Sequence, residues 1–559
     1  MNQDVFFKNF ELLADAPNSV QKLRELILQL AVMGKLVPQD PNDEPASVLS
    51  KKNAKSLKPV QENEIPFDSP RGWFFTHMDQ VSNAIHYGYT ASANNSLTDV
   101  RLLRITDIQN NKVNWETVPG CEIDAQKLNS YALNNNDLLI ARTGGTIGKS
   151  YLVENLAIKA VFASYLIRIV PNVLIFPKYL KLYADSPLYW NQLYSKCAGT
   201  GQPNVNATSL KSLIVPLPPL YEQKRIVSKV DELMALCDKL EARRQNKQEI
   251  QSKLNSSALD RMLSAENQEE FEQYWQRICE NFDLLYDNPE NVEKLKQAIL
   301  QLAVQGKLVE QNPKDEPAGV LIEKIGAKKR QLAKEGKIKK VSPPKQVSEN
   351  ESPFDLPKNW IWMCLGDVLL KLTDGTHHSP TNESSGDFKY ITAKNIKNEG
   401  IDLTNITYVT SNIHKEIYSR CDPGYGDILY IKDGATTGIT VINDLEEPFS
   451  MLSSVALMKL PSEIENKYLL YMLRSPYFYS LMREGMSGVA ITRVTLTKLN
   501  NALVPLPPLN EQKRIVEKVE QFMGLCDELE SKLRKEREDS EKLMETVVRG
   551  LLEGVVAEI

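Results

Sequence analysis

The chain has 559 residues, 42% of them apolar and 25% charged, and a formal net charge of −5. Its length predicts three or four units, and its composition is that of a globular protein. The mildly negative charge excludes binding of nucleic acid by bulk electrostatics, so any such activity has to come from local patches.

In chain order, the first element is a helix within Val20–Leu49 (VQKLRELILQLAVMGKLVPQDPNDEPASVL), with Leu23, Ile27, Leu30 and Ala31 on one face and a terminal glycine at Gly34. The same words return at Val292–Leu321, where Gly306 takes the place of Gly34 and roughly two-thirds of the positions are identical. A second echo links Pro66-Phe-Asp-Ser-Pro-Arg-Gly-Trp73 to Pro353-Phe-Asp-Leu-Pro-Lys-Asn-Trp360. A third links Ile214-Val-Pro-Leu-Pro-Pro-Leu-Tyr-Glu-Gln-Lys-Arg-Ile-Val to Leu503-Val-Pro-Leu-Pro-Pro-Leu-Asn-Glu-Gln-Lys-Arg-Ile-Val. Its prolines cannot be helix interior. A long amphipathic helix follows each time. Ile226, Val230, Leu233, Cys237 and Leu240 form one apolar seam, and Ile515, Val519, Phe522, Cys526, Leu529 and Leu533 form the other. The steps of four and three average near 3.5, a coiled-coil period, and the obvious mate for each stripe is its twin.

Between the echoes lie two bodies of mixed α/β character. Leu102–Ile108 and Lys389–Ile396 read as matching strands, as do Asp137–Ala141 and Asp427–Ile431. The latter pair runs into Gly/Thr-rich loops at 143–148 and 433–438, and short helices follow at 177–187 and 466–476. The expected organisation is an N-terminal helical region (1–59), a first body (60–213), a central region with a long helix (214–326), a basic linker (327–352), a second body (353–502) and a C-terminal long helix (503–559). The helices are nearly copied while the bodies differ, so the frame is used twice and the bodies do related but different things. The fold class expected is α+β: two mixed α/β domains separated by long antiparallel coiled-coil helices, with an internal pseudo-two-fold duplication.

No run of about 18 apolar residues is present, so no transmembrane helix and no membrane partner is expected. The polar, acidic and aromatic Met1–Phe10 is not a signal peptide. Seven scattered cysteines (Cys121, Cys197, Cys237, Cys279, Cys364, Cys421, Cys526) without a CxxC predict a reduced, cytoplasmic protein.

Catalytic constellations are missing from this reading. Gly145-Thr-Ile-Gly-Lys-Ser150 approaches a P-loop, but the motif requires glycine where Thr143 stands, and the second body has no Gly-Lys at Gly438. The adjacent His377 and His378 are poorly placed to share one metal ion, and no second cluster has ligand spacing. Ala327–Lys340 is basic and reads as a solvated linker, or as an arm touching phosphates. Polar and aromatic side chains in glycine-rich loops suit either a generic ligand or base edges. On these grounds alone, a two-lobed binding scaffold on a helical spacer ranks ahead of a DNA reader. A nuclease or methyltransferase in its own right ranks behind both.

The duplicated Pro-Leu-Pro-Pro-Leu-x-Glu-Gln-Lys-Arg-Ile-Val with its long helix resembles the specificity (S) subunits of type I restriction-modification enzymes. So do Gly426-Asp-Ile-Leu-Tyr, Thr373-Asp-Gly-Thr-His and the helix-plus-DEPA repeat. The resemblance spans nearly the whole chain, twice over. The first body departs in having Asn136-Asp-Leu-Leu, and its counterpart of Asp-Gly-Thr-His is not evident near Tyr87–Thr90. The resemblance implies a non-catalytic subunit whose two target-recognition domains each read half of a split, asymmetric site on double-stranded DNA. It implies that the helices set the spacing and dock two methyltransferase subunits, and that two restriction (motor) subunits complete the complex. The chain itself would hold no cofactor; S-adenosylmethionine, ATP and Mg would belong to the partners. The DNA-facing candidates in the first body are Tyr87, Tyr89, Arg104, Arg142, Thr143, Thr146, Lys149, Thr200, Gln202 and Asn204. In the second they are Thr376, His377, His378, Lys394, Asn395, Lys432, Thr436, Thr437 and Arg493.

Overall fold

A computed structural model describes residues 18–52, 57–196, 204–336, 351–484 and 493–553, with positions 16, 338, 343–345 and 347–348. The chain divides into two compact units, residues 1–248 with 536–559, and residues 249–535. No helix among the described residues is long and apolar enough to cross a membrane.

In the first unit, strands β1 (Phe74–His77), β2 (Ser82–Tyr87), β3 (Arg101–Leu103), β4 (Leu138–Ala141), β5 (Ser150–Leu152), β6 (Ala160–Phe162), β7 (Leu166–Pro171) and β8 (Ile214–Leu217) carry the body. The main sheet is antiparallel, in the order β2-β7-β4-β5, and β3 pairs in parallel with β6. Strand β4 is apolar throughout because both its faces are covered. Leu138 and Ile140 face one core, and Leu139 and Ala141 face another. The proline-rich lead-in is strand β8, which among the described residues pairs only with β1, so Pro216 removes no ladder bond from a sheet interior.

The second unit repeats the plan with β9 (Ile361–Cys364), β10 (Lys371–Asp374), β11 (Phe388–Ile391), β12 (Thr407–Val409), β13 (Ile428–Ile431), β14 (Thr440–Ile442), β15 (Ser450–Met451), β16 (Val455–Lys459) and β17 (Leu503–Leu506). Its main sheet runs β10-β16-β13-β14, β11 lies between β12 and β15, and β9 pairs with β17. Asn136 and Gly426 precede the matching strands β4 and β13 with φ of 77° and 84°. The site demands a left-handed residue, and asparagine is the side chain that tolerates it best. The departure from glycine in the first body is thus a conservative one.

The repeated words bind one another. Trp73 Nε1 donates to the buried Glu222 at 3.0 Å. In the second unit Glu511 accepts from Gln311 Nε2 at 2.7 Å, with the buried Trp360 beside it. Gln223 Oε1 accepts from Phe176 N at 2.6 Å, and Gln512 Oε1 accepts from Glu465 N at 2.9 Å. Tyr179 and Tyr468 donate their hydroxyls to the carbonyls of Pro216 and Pro505. Gly34 and Gly306, at φ 70° and 68°, close their helices against Pro70 and Pro357, where a Cβ would come within 2.6 and 2.5 Å of the proline ring.

The long helices span Leu220–Leu263 and Leu509–Glu553. Ile226 and Val230 pack into the core of the first body rather than on the twin helix. Cys237 and Leu240 pack with Val20, Leu23, Met544 and Val547. In the second unit Ile515, Val519 and Cys526, with Phe522 and Leu529 alongside, share a core with Leu259, Met262 and the helix Pro289–Val304. Early turns of one helix meet late turns of the other both times, which is antiparallel order. Leu233 is half-buried, and its neighbour Met234 makes the contact with the first body's core. The segment read as a basic linker begins inside a helix, Ala318–Lys334. Buried Lys329 there donates to the carbonyls of Gly366 and Asp367, so those turns are fastened to the second body.

Candidate nucleic-acid interface

Strand register aligns the two bodies. Ile140 pairs with Ile167 as Tyr430 pairs with Ala456, and Tyr87 pairs with Ile167 as Asp374 pairs with Ala456. Tyr87-Gly88-Tyr89 therefore occupies the place of Asp374-Gly375-Thr376. Both glycines are pressed on backbone, since a Cβ would lie 2.3 Å from the Ala163 carbonyl oxygen or 1.9 Å from that of Met451. The missing counterpart of Asp-Gly-Thr-His is thus at Tyr87–Thr90, recognisable only by its glycine.

The loops after β4 and β13 match as well. Thr143 bridges Asn204 as Asp433 bridges Arg493. Arg142 and Lys432 accept, through their carbonyls, from Val205 N and Val494 N at 3.0 and 2.8 Å. After Gly144–Thr146 the chain returns as antiparallel β5 instead of opening a helix, so the loop lacks the helix N-terminus that a P-loop needs.

Side chains on this shared backbone differ. In the first body the Arg142 guanidinium lies 4.8 Å over the Tyr87 ring, and the Tyr87 hydroxyl accepts from Ala207 N at 3.0 Å. Tyr89 packs on Tyr131, Thr143 and Thr146 are half-buried, and Lys149 and Asn204 are exposed. Arg104 is occupied in a two-armed bond to Asp107 at 2.7 and 3.0 Å. Thr200 and Gln202 lie outside the described residues.

In the second body Lys432 is 2% exposed and faces Asp374 Oδ2 at 3.5 Å and Asp433 Oδ2 at 3.1 Å. It is an internal counter-ion, not the open contact expected of it. Asn395 is buried, capping Thr392 N and donating to Asp402 O. Thr437 is buried on Gly434 O. Thr376 Oγ1 donates to His378 O, while His377, His378, Lys394, Thr436 and Arg493 are exposed. Arg420, not singled out in the sequence, joins the group: its Nη2 donates to Asp374 Oδ1 at 2.6 Å and lies 3.0 Å from His377 Nε2. It stands at the end of the helix Ser411–Arg420, outside every glycine-rich loop, and no sequence spacing flags it. Burial raises the carboxyls of Asp137 and Asp427 above the usual range, against the opposing pull of Arg168 and Lys459.

The type I restriction modification DNA specificity domain matches twice, over residues 75–251 and 357–538. The specificity subunit of the type I restriction enzyme EcoAI from Escherichia coli is 30% identical over 544 residues, covering 91% of this chain and 90% of that one. The EcoEI specificity subunit from Escherichia coli is 30% identical over 548 residues, covering 92% and 91%. A chain from a structure described as the basis of complex assembly and conformational transition of the type I R-M system shares the fold, at 19% identity and a TM-score of 0.51, over 87% of this chain and 99% of that one. With two copies of the domain and full-length relatives at this identity, the chain belongs to the DNA specificity subunits of type I restriction-modification enzymes, the non-catalytic members of those complexes.

Proposed function

We propose that each body reads one half of a bipartite, asymmetric target on double-stranded DNA. The observation that carries this reading is the matched pair of loop edges: one backbone register, with Arg142 on Tyr87 in the first body and Lys432 on Asp374 in the second. Equal scaffolds with unlike polar side chains suit two readers of unlike sequence. Each long helix starts in one unit and ends in the other, and a 44-residue helix runs about 66 Å. Such a spacer suits half-sites one or more duplex turns apart.

The helices also dock two methyltransferase subunits, one per repeat. Leu236 and Leu525 stand ten residues after Ile226 and Ile515, and both are exposed, at 51% and 55%. Two restriction subunits complete the complex, and S-adenosylmethionine, ATP and Mg act in the partners. The net charge of −5 fits a division in which the partners supply part of the basic clamp.

The test is methylation mapping. The chain is expressed with its methyltransferase subunit in a methylation-free host, and modified adenines are sequenced. One split, asymmetric motif that vanishes without this chain is expected. Soluble, associated subunits that leave the genome unmodified would favour a binding scaffold for another ligand.

A further inference from the structure

We infer that Arg420, paired with His377, reads a guanine in the half-site of the second body, and that buried Asp374 is the positioning residue that aims it. This rests on the DNA-reading function above. Arg420 heads a row of alternating charge. Its Nη2 meets Asp374 Oδ1 at 2.6 Å, Asp374 Oδ2 faces Lys432 Nζ at 3.5 Å, Lys432 reaches Asp433 Oδ2 at 3.1 Å, and Asp433 Oδ1 faces Arg493 Nε at 3.4 Å. The middle is buried, with Asp374 and Lys432 each 2% exposed, while the arginines at the two ends are 51% and 64% exposed. Lys432 and Arg493 together balance Asp374 and Asp433, so neutrality does not require Arg420 there. What the carboxylate adds is a fixed direction for an exposed guanidinium.

The donor pattern selects the base. Nη2 donates to Asp374 Oδ1 at 2.6 Å and lies 3.0 Å from His377 Nε2, which is itself 3.4 Å from the same carboxylate oxygen. Nε and Nη1 of Arg420 have no other partner among the described residues. A guanidinium only donates. The free part of the Arg420 guanidinium thus presents donors and no acceptor. In the major groove the base edge with two acceptors, N7 and O6, is guanine; adenine and cytosine would set an amino group against a donor, and thymine offers one acceptor beside its methyl group. In the first body Tyr87 and Arg142 take the places of Asp374 and Lys432, so the row has no counterpart there, and the effect is confined to one half-site.

The experiment is adenine-methylation mapping of the full chain with its methyltransferase subunit, for wild type, Arg420→Gln and Arg420→Lys, with co-purification of the two proteins as the assembly control. The wild-type motif should contain a guanine at which Arg420→Gln loses roughly tenfold to a hundredfold of its preference, the other half-site and the gap being unchanged. Uniformly weaker methylation with an intact motif would make Arg420 a phosphate contact and overturn the assignment, as would an unchanged motif. Should Arg420→Gln fail to assemble, Arg420→Lys decides by the same readout, a motif weakened at one guanine supporting the assignment and an unchanged motif overturning it. A wild-type complex that yields no motif would instead defeat the DNA-reading function itself.

Discussion

Arg225 Nη2 donates to Asp43 Oδ2 at 2.6 Å, and in the second unit Arg514 Nη2 donates to Asp315 Oδ2 at 2.7 Å. Each pair ties the start of a long helix to the DEPA segment of its own unit. The aspartates are 8% and 5% exposed, so removing the arginine strands a buried carboxylate. Arg514→Ala should cost about 3 kcal/mol, and Asp315→Ala combined with Arg514→Ala distinctly less than the sum of the single changes. Urea unfolding of the four-member cycle measures both.

Asn255 is fully buried on the first long helix, and neither its Nδ2 nor its Oδ1 has a hydrogen-bond partner among the described residues. The same step of the second helix holds Met544, packed with Val20, Leu23 and Cys237. Asn255→Met should therefore stabilise the second unit by about 1–2 kcal/mol, because an unsatisfied buried amide is replaced by an apolar side chain. A thermal melt that fell instead would show that the amide has a partner.

Burial raises the carboxyl of Glu222, with the Trp73 indole and Arg225 pulling the other way, and burial likewise raises that of Glu511. An acid raised in the fold binds its proton more readily there than in the unfolded chain. Its contribution is present below the ordinary glutamate range and is lost as pH rises through the shifted value. Glu222→Gln with Glu511→Gln should thus gain stability over wild type as pH rises above that range, read from melting curves between about pH 4 and pH 8.

Lys432→Ala and Arg142→Ala should fail in different ways, although the residues share a backbone position. Lys432→Ala leaves Asp374 and Asp433 facing each other without their buried cation, at a cost of about 3–5 kcal/mol, and should lower the folded fraction. Arg142→Ala removes a half-exposed stack on Tyr87 and should leave the melt nearly unchanged while weakening DNA retention. Differential scanning calorimetry beside a duplex-binding assay separates the two.

The frame was legible because its words are written twice: the helix-plus-DEPA run, the Trp segment and the PLPPL helix each announce a partner. The apolar runs at Asp137–Ala141 and Asp427–Ile431 were legible as strands for the simple reason that both faces are buried. Burial of polar side chains was not legible. Lys432, Asn395 and Thr437 have the chemistry of base readers, yet pack inward as counter-ion and caps. Arg420 was missed for the opposite reason: it meets Asp374 from 46 residues away, at the end of an unremarked helix. Pairing of Tyr87 with Asp374 was hidden too, since register, not side-chain type, sets the equivalence.

The first unit takes in the described residues 536–553, which follow the whole of the second in the chain. Val20 and Leu23 pack with Met544 and Val547, and Lys22 pairs with Glu545. During synthesis the second unit, continuous from 249 to 535, has all its residues in hand while the first still waits. A ribosome that stops short of Met544 releases a chain in which Val20, Leu23 and Cys237 lack their apolar partners, the kind of surface that chaperones and proteases recognise. The layout makes the earliest-made unit the last to be finished.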